Sequence, residues 1–261
     1  MFRELIVDQS DWGQIRAEGA DRVRFVQAMC TADVEAIPPG GWTRAAMLTT
    51  KGRVASVIDI VNRAERDDLL LICEPGLTAK TLEVLRKHAI MDDVEFAEES
   101  GPIYRVWGAP AEVWDAAPVF GDLPAVAARP EEVEIRRVEA GLPRYGVDVS
   151  EDYFPFESTL VRSIDYDKGC YLGQEPVKRA NTRGHANRAL RGLRVSGAGA
   201  VSAGATVSHP ERENAGKVTS AVVSPAFGSI ALGYVHRNVW EPGTEVEVER
   251  RAAVLVELPF Q

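Results

Sequence analysis

The pattern of apolar and polar positions predicts a run of antiparallel strands in the first third of the chain. Three segments rich in apolar and β-branched residues occupy residues 42–49, 52–62 and 69–73. Lys51-Gly52 and the polar residues 63–68 separate them, and short breaks of this kind are typical of hairpin turns. The pattern therefore predicts an antiparallel meander.

Helical periodicity flanks the meander on both sides. Asp21 is predicted to cap a helix whose apolar residues recur every three or four positions, after a short strand at residues 15–19. A second helix is predicted after the Pro-Gly pair at residues 75–76, followed by strands at residues 94–97 and 103–107. Strands mixed with single helices in this order are typical of an α+β fold.

The second half of the chain divides into a mixed segment and a β-rich segment. Residues 131–138 predict a strand, whereas residues 158–164 and 173–183 predict helices. From Leu190 onward, short strands alternate with turns that contain Gly, Pro and Asn. This pattern of short strands and turns predicts a small antiparallel β-barrel that begins near Arg188.

Composition favours a cytoplasmic protein. The 261 residues carry a formal net charge of −9, and no apolar run reaches the ~20 residues of a membrane-spanning helix. An acid follows the arginine in Met1-Phe2-Arg3-Glu4, which argues against a signal peptide. Three cysteines form neither a disulfide framework nor a metal-ligand spacing. We expect a monomer in a reducing compartment, with no metal site.

Positive charge is concentrated in residues 162–194, a stretch called the basic island. It holds eight basic and three acidic side chains, so the rest of the chain carries a net charge of −14. A basic island in an acidic protein usually faces an anion. The alternative is a solvated face whose charges pair within the molecule.

Residues 168–175, called the signature segment, bring together an ammonium, a thiol, a phenol, an amide and a carboxylate. Leu172 is the one ordinary core residue among them, so the segment is predicted to form a site rather than to pack. Cys170 is the candidate reactive thiol, because Lys168 and a helix that starts just after it would stabilise a thiolate. The alternative is a buried structural cysteine in a turn. His185 is a candidate general base.

Two residues outside the signature segment suit a flat ligand. Trp12 lies in a polar stretch and either stacks on a heteroaromatic ring or fills part of the core. Glu139 is either a buried acceptor for a ligand's N–H groups or the end of a surface strand. The residues alone leave both alternatives open.

Lys-Gly-Cys-Tyr-Leu-Gly-Gln-Glu at residues 168–175 resembles the signature of the YgfZ-like proteins, which are relatives of the glycine-cleavage aminomethyltransferase, or T-protein. The resemblance covers nearly the whole chain. Its other parts include Ser10-Asp11-Trp12, Lys51-Gly52-Arg53, Glu139-Ala140-Gly141-Leu142-Pro143, Asn187-Arg188-Ala189-Leu190 and Ala231-Leu232-Gly233-Tyr234-Val235. A match of eight residues with this mixture of chemistry is highly specific.

The resemblance implies an α+β fold arranged as a three-part ring around a central channel that holds tetrahydrofolate. Residues 1–45 and 131–188 are expected to form a split folate-binding domain. Residues 46–130 are expected to form a ferredoxin-like insertion, and residues 189–261 the C-terminal antiparallel β-barrel.

The resemblance also implies roles for single residues. Trp12 is expected to stack on the folate rings, and Glu139 to bond the pterin N–H groups. The other expected folate contacts are Lys168, Tyr171, Gln174, Glu175, Arg179 and Arg188. Cys170 is expected to be a reactive thiol or a transient cluster contact. A single thiol cannot hold an iron–sulfur cluster alone, because such clusters usually have four protein ligands.

The implied function is that of a folate-binding accessory protein in iron–sulfur cluster assembly or repair, with client or assembly proteins as partners and tRNA-modifying enzymes among those that it supports. The rival is a folate-dependent one-carbon transferase that acts on another amine. Ser56-Val57 stand where aminomethyltransferases have adjacent aspartates, and Asp59 is not a substitute, so glycine cleavage is not expected. Val133 replaces a tryptophan of some relatives. RNA binding by the basic island is a third hypothesis, which the acidic chain disfavours.

Overall fold

The computed structural model describes residues 2–122, 126–183 and 186–261. Its strands are β1 (Leu5–Asp8), β2 (Gly13–Glu18), β3 (Trp42–Leu48), β4 (Val54–Arg63), β5 (Asp68–Cys73), β6 (Glu95–Glu99), β7 (Ile103–Trp107), β8 (Val119–Phe120), β9 (Arg188–Val195), β10 (Thr206–His209), β11 (Arg212–Ser224), β12 (Gly228–His236), β13 (Glu245–Val248) and β14 (Arg251–Val256). Its α-helices are α1 (Arg22–Met29), α2 (Thr78–His88), α3 (Pro130–Glu139) and α4 (Gln174–Arg183). The predicted α+β class is confirmed.

Five strands form one antiparallel sheet in the order β3-β4-β5-β2-β6. The helices α1 and α2 cover one face, where Ile15, Ile58 and Leu85 are buried together. The predicted meander of β3, β4 and β5 and the two helices beside it are therefore confirmed. Alternation in β4 leaves a second face for the rest of the molecule.

The second face of the five-stranded sheet meets a small sheet, β1-β7-β8, and the segments around α4. Ile103 of β7 packs against Val61 and Ile72. Leu160, in a short 3-10 turn at Thr159–Ser163, packs with Val57 of β4. The space left between these layers becomes the candidate site.

Residues 131–138, predicted as a strand, form α3 instead. Their alternating polarity is typical of a strand, but Pro130 occupies the first helical turn and the Glu132 carboxylate accepts a hydrogen bond from the N–H of Arg129 (3.0 Å). Ion pairs between residues three positions apart then stabilise the helix: Glu134 with Arg137, and Arg136 with Glu139. Capping and pairing thus prevail over the alternation.

The predicted C-terminal antiparallel barrel is confirmed. Six strands close in the order β10-β11-β12-β9-β14-β13 around an apolar interior. Leu193, Val218 and Leu255 point into this interior, because side chains on each barrel strand alternate between inside and outside. β9 begins at Arg188 and pairs with both β12 and β14.

The division of the remaining chain into a split domain and an insertion stays a prediction. Its boundary between residues 45 and 46 lies within β3. In addition, β2 of the first predicted unit pairs with β5 of the second. The five-stranded sheet therefore contains residues of both predicted units.

Candidate functional site

A cavity of about 620 Å³ lies between the five-stranded sheet, the small sheet and α3. We call it the central cavity. The apolar part of its wall includes Val7, Trp12, Val57, Trp107, Val133 and Leu160. Its charged lining includes Arg44, Asp59, Glu74, Arg137 and Arg144. A largely apolar chamber of this volume with a few polar groups has the character of a small-molecule site.

Strand alternation in β4 places Val57 and Asp59 on one face of the sheet and Ser56 on the other. Val57 and Asp59 both line the central cavity. Ser56 lies on the opposite face, where its hydroxyl group is 2.9 Å from that of Thr81 in α2. Of Ser56 and Val57, only the valine therefore contributes to the cavity wall.

Three charged side chains form a buried network at one wall. The Asp59 carboxylate accepts hydrogen bonds from Nε (2.8 Å) and Nη2 (3.2 Å) of Arg44 and from Nη2 of Arg105 (2.5 Å). Burial would raise the pKa of Asp59, but the two guanidinium groups outweigh burial and hold this pKa below its ordinary value. Both oxygens of Asp59 are thus engaged by cations.

Two nitrogen donors of residues in the cavity wall are buried without hydrogen-bond partners among the described residues. They are Nη1 of Arg44 and Nε1 of Trp107. A buried donor without an acceptor destabilises a protein by roughly 1–3 kcal/mol. The wall therefore holds hydrogen-bonding capacity that a ligand with acceptor atoms could use.

Glu74 follows β5 directly and brings a second carboxyl group to the central cavity. Its two oxygens accept from the N–H of Tyr145, at 3.1 and 3.2 Å. Burial raises the pKa of Glu74 from its ordinary value of 4.5 to about 7, although Arg144, Arg137 and Arg44 act in the opposite direction. This carboxyl group changes charge near neutral pH.

Arg137 connects the cavity wall to the barrel. Its Nη1 donates to Asp148 (2.6 Å) and its Nη2 to the hydroxyl group of Ser220 in β11 (2.7 Å). Ser220 in turn donates to Asp148 (2.8 Å). The barrel is therefore held beside the cavity by a network of buried polar groups, which fixes the position of α3.

Of the residues singled out in the sequence, Trp12 lies in the central cavity, whereas Glu139 does not line it. Glu139 accepts hydrogen bonds from Ser224 Oγ (2.6 Å) and Arg136 Nε (3.0 Å) and borders a separate cavity of about 490 Å³ beside Phe2. The cause is helical phase: Val133 and Arg137 face the central cavity, and a residue two positions after Arg137 lies on the other side of α3.

Lys168 is a structural cation. Its side chain is buried, and its ammonium donates to the carbonyl groups of Gln27 (2.7 Å), Cys30 (3.0 Å) and Ala32 at the end of α1. A cation at a helix C-terminus satisfies carbonyl groups that have no partner within the helix. Burial lowers the pKa of Lys168. The ammonium is thus directed at α1, and it does not line the central cavity.

Much of the remaining signature segment also packs, contrary to the prediction. Tyr171 is buried in the apolar cluster that contains Val57 and Leu160. The backbone N–H of Leu172 donates to the carbonyl of Ala28 (2.9 Å). Gln174 is buried at the start of α4 and donates to the carbonyl of Gly169 (3.3 Å). The segment joins α1 to the second face of the sheet.

The second glycine of the signature segment has a steric role. Gly173 adopts a φ of +75°, and a Cβ there would lie 2.3 Å from the carbonyl oxygen of Thr49. Gly52, in the turn between β3 and β4, would place a Cβ 3.1 Å from the carbonyl oxygen of Gly173. The two glycines allow two backbone turns to touch, so the 51–53 turn and the signature segment form one joint.

Cys170 of the signature segment is exposed. The other two cysteines are buried, and burial raises the pKa of Cys73 and raises that of Cys30 to about 11. The alternative of a buried Cys170 is therefore wrong. His185, the candidate base, lies outside the described residues.

The other predicted folate contacts lie outside the central cavity. Arg188 pairs with Glu157 (3.2 Å) and lies 4.3 Å above the ring of Tyr153. Glu175 and Arg179 form an exposed ion pair one turn apart on α4 (2.7 Å). None of these three residues lines the central cavity.

Several other charges of the basic island also pair within the molecule. Arg162 pairs with Asp115 (3.2 Å), Arg191 donates to the carbonyl of Trp240 (2.8 Å), and Arg194 donates to that of Gln261. These contacts favour the alternative of intramolecular pairing.

In the described part of the chain, no three His, Cys, Asp or Glu side chains converge as metal ligands. None of the described helices is long and apolar enough to span a membrane.

Arg44, Arg105 and Glu74 are site residues that were not predicted from the sequence. A signal was present for the two arginines, because each interrupts an otherwise apolar strand, as Asp59 does in β4. A charged residue that a strand buries must find an opposite charge, so three such residues predict a network. Glu74 lies in a polar loop and gives no comparable signal.

The chain matches known families in two regions. Residues 4–113 match the family model of the GCVT N-terminal domain, and residues 188–260 match that of the glycine cleavage T-protein C-terminal barrel domain. The solved structure of the glycine cleavage system aminomethyltransferase T from Bartonella henselae covers 100% of this chain, and the chain covers 87% of that structure. The TM-score is 0.83 at 19% identity, which shows a shared fold.

Two relatives extend the match in sequence. The tRNA-modifying protein YgfZ of Yersinia enterocolitica is 26% identical over 230 residues, which cover 71% of this chain and 69% of that protein. An aminomethyltransferase of Acidobacterium capsulatum is also 26% identical, with 98% of this chain and 84% of that protein aligned. Together with the fold and the signature segment, these matches identify the chain as a YgfZ-like relative of the glycine cleavage T-protein family.

Proposed function

We propose that this chain binds tetrahydrofolate in the central cavity and acts as an accessory protein in iron–sulfur cluster assembly or repair. The observation that carries the folate part is the central cavity itself, a chamber of about 620 Å³ that Trp12 and Trp107 border. Its apolar walls suit the flat pterin ring, and the unpaired donors of Arg44 and Trp107 suit its acceptor atoms. Bound folate would supply one-carbon chemistry, while these residues bind and orient it.

Binding can be tested through the tryptophans. Tetrahydrofolate is titrated under reducing conditions against intrinsic fluorescence, and the affinity is checked by calorimetry. We expect a saturable change in the wild-type chain that is reduced in Trp12→Phe. Trp240→Phe is the matched control, because Trp240 packs on the barrel and donates to Glu241 (2.8 Å), away from the cavity lining. If neither fluorescence nor calorimetry shows saturable binding, the folate proposal is refuted.

The role in iron–sulfur metabolism rests on the family resemblance and on the exposed thiol of Cys170. A single thiol must share a cluster with groups from a partner, since clusters usually have four ligands. Complementation of a strain that lacks its YgfZ protein tests this role, with the activity of a cluster-dependent tRNA-modifying enzyme as the readout. We expect Cys170→Ala to fail while it still binds tetrahydrofolate. Full complementation by this variant would refute a role for the thiol.

Two β4 residues of the cavity wall, Val57 and Asp59, do not support the transferase alternative. Val57 contributes no carboxylate to the cavity, and Asp59 has both oxygens bound by guanidinium groups. A carboxylate engaged in this way is a poor acceptor for the proton of an attacking amine. Incubation with methylene-tetrahydrofolate and candidate amines, followed by mass spectrometry, would reveal any transfer.

A further inference from the structure

We propose that Glu74 and Arg44 form the polar recognition pair of the central cavity, and that together they bind the 2-amino-4-oxo edge of a pterin-type heterocycle. This inference rests on the proposed folate function and names the residues that would give it specificity. Both side chains line the cavity: Arg44 lies in β3, and Glu74 directly follows β5 of the same sheet.

The first step is the hydrogen-bonding capacity that each group retains. Two carboxylate oxygens offer about four acceptor sites, and Glu74 has one backbone N–H, that of Tyr145, as its donor. Arg44 has Nε and Nη2 engaged by Asp59, whereas its Nη1 has no partner among the described residues. Among the described residues, the wall thus holds unused acceptor sites on Glu74 and an unpaired, buried donor on Arg44.

The second step is chemical complementarity. A 2-amino-4-oxo-pyrimidine ring carries two adjacent N–H donors and, beside them, a carbonyl oxygen. Glu74 suits the two donors and Arg44 suits the carbonyl, while Trp12 and Val57 offer apolar surface to the ring. Glu74 has this role in place of Glu139, which borders a different cavity and is engaged by Arg136 and Ser224.

The other carboxylates of the central cavity are less suited to this role. Asp59 has no oxygen free of a guanidinium contact. Asp8 is exposed and accepts from both the N–H and the hydroxyl group of Ser10. Asp11 is exposed as well. Glu74 is half-buried and has spare acceptor capacity among the described residues, and hydrogen bonds to a charged group that is shielded from water discriminate strongly between ligands.

The test uses calorimetry on the full chain with two ligands. These are tetrahydrofolate and an analogue in which a methyl group replaces the 2-amino group. We expect the wild-type chain to bind the analogue at least 10-fold more weakly. Glu74→Gln should lower the affinity for tetrahydrofolate by about 10- to 100-fold and should bind the two ligands about equally. Gln retains an acceptor for the N–H of Tyr145, which favours folding of the variant.

Two matched variants complete the design. Glu151→Gln makes the same change at an exposed carboxylate that pairs with Lys80 (2.6 Å) and does not line the cavity, so the affinity should be unchanged. Glu139→Gln tests the residue that the family resemblance favours. If Glu139→Gln loses tetrahydrofolate while Glu74→Gln keeps it, the assignment of Glu74 is wrong.

The outcomes separate this inference from the proposed function. A wild-type chain with no saturable binding of tetrahydrofolate overturns both. A wild-type chain that binds tetrahydrofolate and the analogue with equal affinity overturns only the recognition pair, and this readout requires no variant. Equal tetrahydrofolate affinity of the wild type and Glu74→Gln also overturns the recognition pair alone.

Discussion

The signature segment and the central cavity are constructed in opposite ways. The signature segment is eight consecutive residues whose polar groups are largely used within the protein, in contacts with α1, the 51–53 turn and the start of α4. The central cavity draws its polar groups from distant parts of the chain, among them Arg44, Glu74 and Arg137. Of these cavity groups, Glu74 and Arg44 retain unused hydrogen-bonding capacity among the described residues, whereas every N–H donor of Arg137 is engaged and Lys168 and Gln174 of the segment donate to backbone carbonyl groups.

This difference teaches that a dense polar motif can be a structural joint. The buried ammonium of Lys168 requires a lysine, because a substitute would leave carbonyl groups unpaired. Gly173, which touches Gly52 of the 51–53 turn, and the buried Tyr171 are restricted in the same way, because another side chain would clash or pack poorly. Such demands restrict a sequence as strongly as chemistry does. In this segment, the exposed Cys170 remains the candidate for chemistry.

The largest expected effect tests the structural role of Lys168. Lys168→Met keeps the apolar stem but leaves the carbonyl groups of Gln27, Cys30 and Ala32 without their cation. We expect the free energy of unfolding to fall by about 2–4 kcal/mol. Urea denaturation measures this free energy. Lys51→Met, at an exposed position in the 51–53 turn, is the control and should change it little. Wild-type stability combined with slower alkylation of Cys170 would instead mean that Lys168 serves the thiol.

The two glycines of the signature segment provide an internal comparison of the same substitution. Gly173→Ala forces a side chain into a left-handed conformation and against the backbone of Thr49, so we expect a loss of about 2–3 kcal/mol. Gly169→Ala meets no atom within 4 Å and should change stability by less than about 0.5 kcal/mol. Thermal or urea unfolding distinguishes them. Equal stabilities would show that the joint is looser than the structure indicates.

The fold was predictable from the sequence where local periodicity decided it. The meander of β3, β4 and β5 and the barrel strands follow from alternation and turn residues alone. Alternation failed at residues 131–138, where the capping contact of Glu132 made a helix. That error matters for the site, because the helical phase of α3 directs Glu139 away from the central cavity.

The candidate site was less predictable, because it depends on how separate elements meet. Trp12 lines the cavity, whereas the ammonium of Lys168 donates to carbonyl groups of residues more than 130 positions earlier in the chain. No local pattern reveals such a long-range contact. The charged residues within apolar strands, Arg44, Asp59 and Arg105, were the one available signal of the network.

A pH series tests the assignment of Glu74. Because the pKa of Glu74 is about 7, this residue is largely protonated at pH 6 and ionised at pH 8. If the carboxylate accepts ligand N–H groups, tetrahydrofolate affinity should rise about 10-fold between these pH values, and it should be flat in Glu74→Gln. A wild-type affinity that is independent of pH would contradict the role of the carboxylate.

The same titration has the opposite effect on the ligand-free protein. The folded state holds the Glu74 proton more tightly than the unfolded state, in which the pKa is near 4.5. This contribution to stability is complete below pH 4.5 and is lost as the pH rises through about 7. Urea denaturation at several pH values should therefore show a decline that Glu74→Gln lacks. Opposite trends in stability and affinity would be hard to obtain from general unfolding.

The smallest effect is expected at the exposed pair on α4, which sharpens the contrast between the signature segment and the cavity. Glu175→Ala and Arg179→Ala each break an ion pair whose side chains are 83% and 61% exposed, so stability should fall by less than about 0.5 kcal/mol. Neither residue lines the central cavity, and calorimetry should give the wild-type affinity for tetrahydrofolate. A tenfold loss of affinity in either variant would return α4 to the ligand-binding surface. The ligand-binding site would then be larger than the central cavity, since exposed charges outside the cavity lining can affect binding this strongly only if the ligand extends to them.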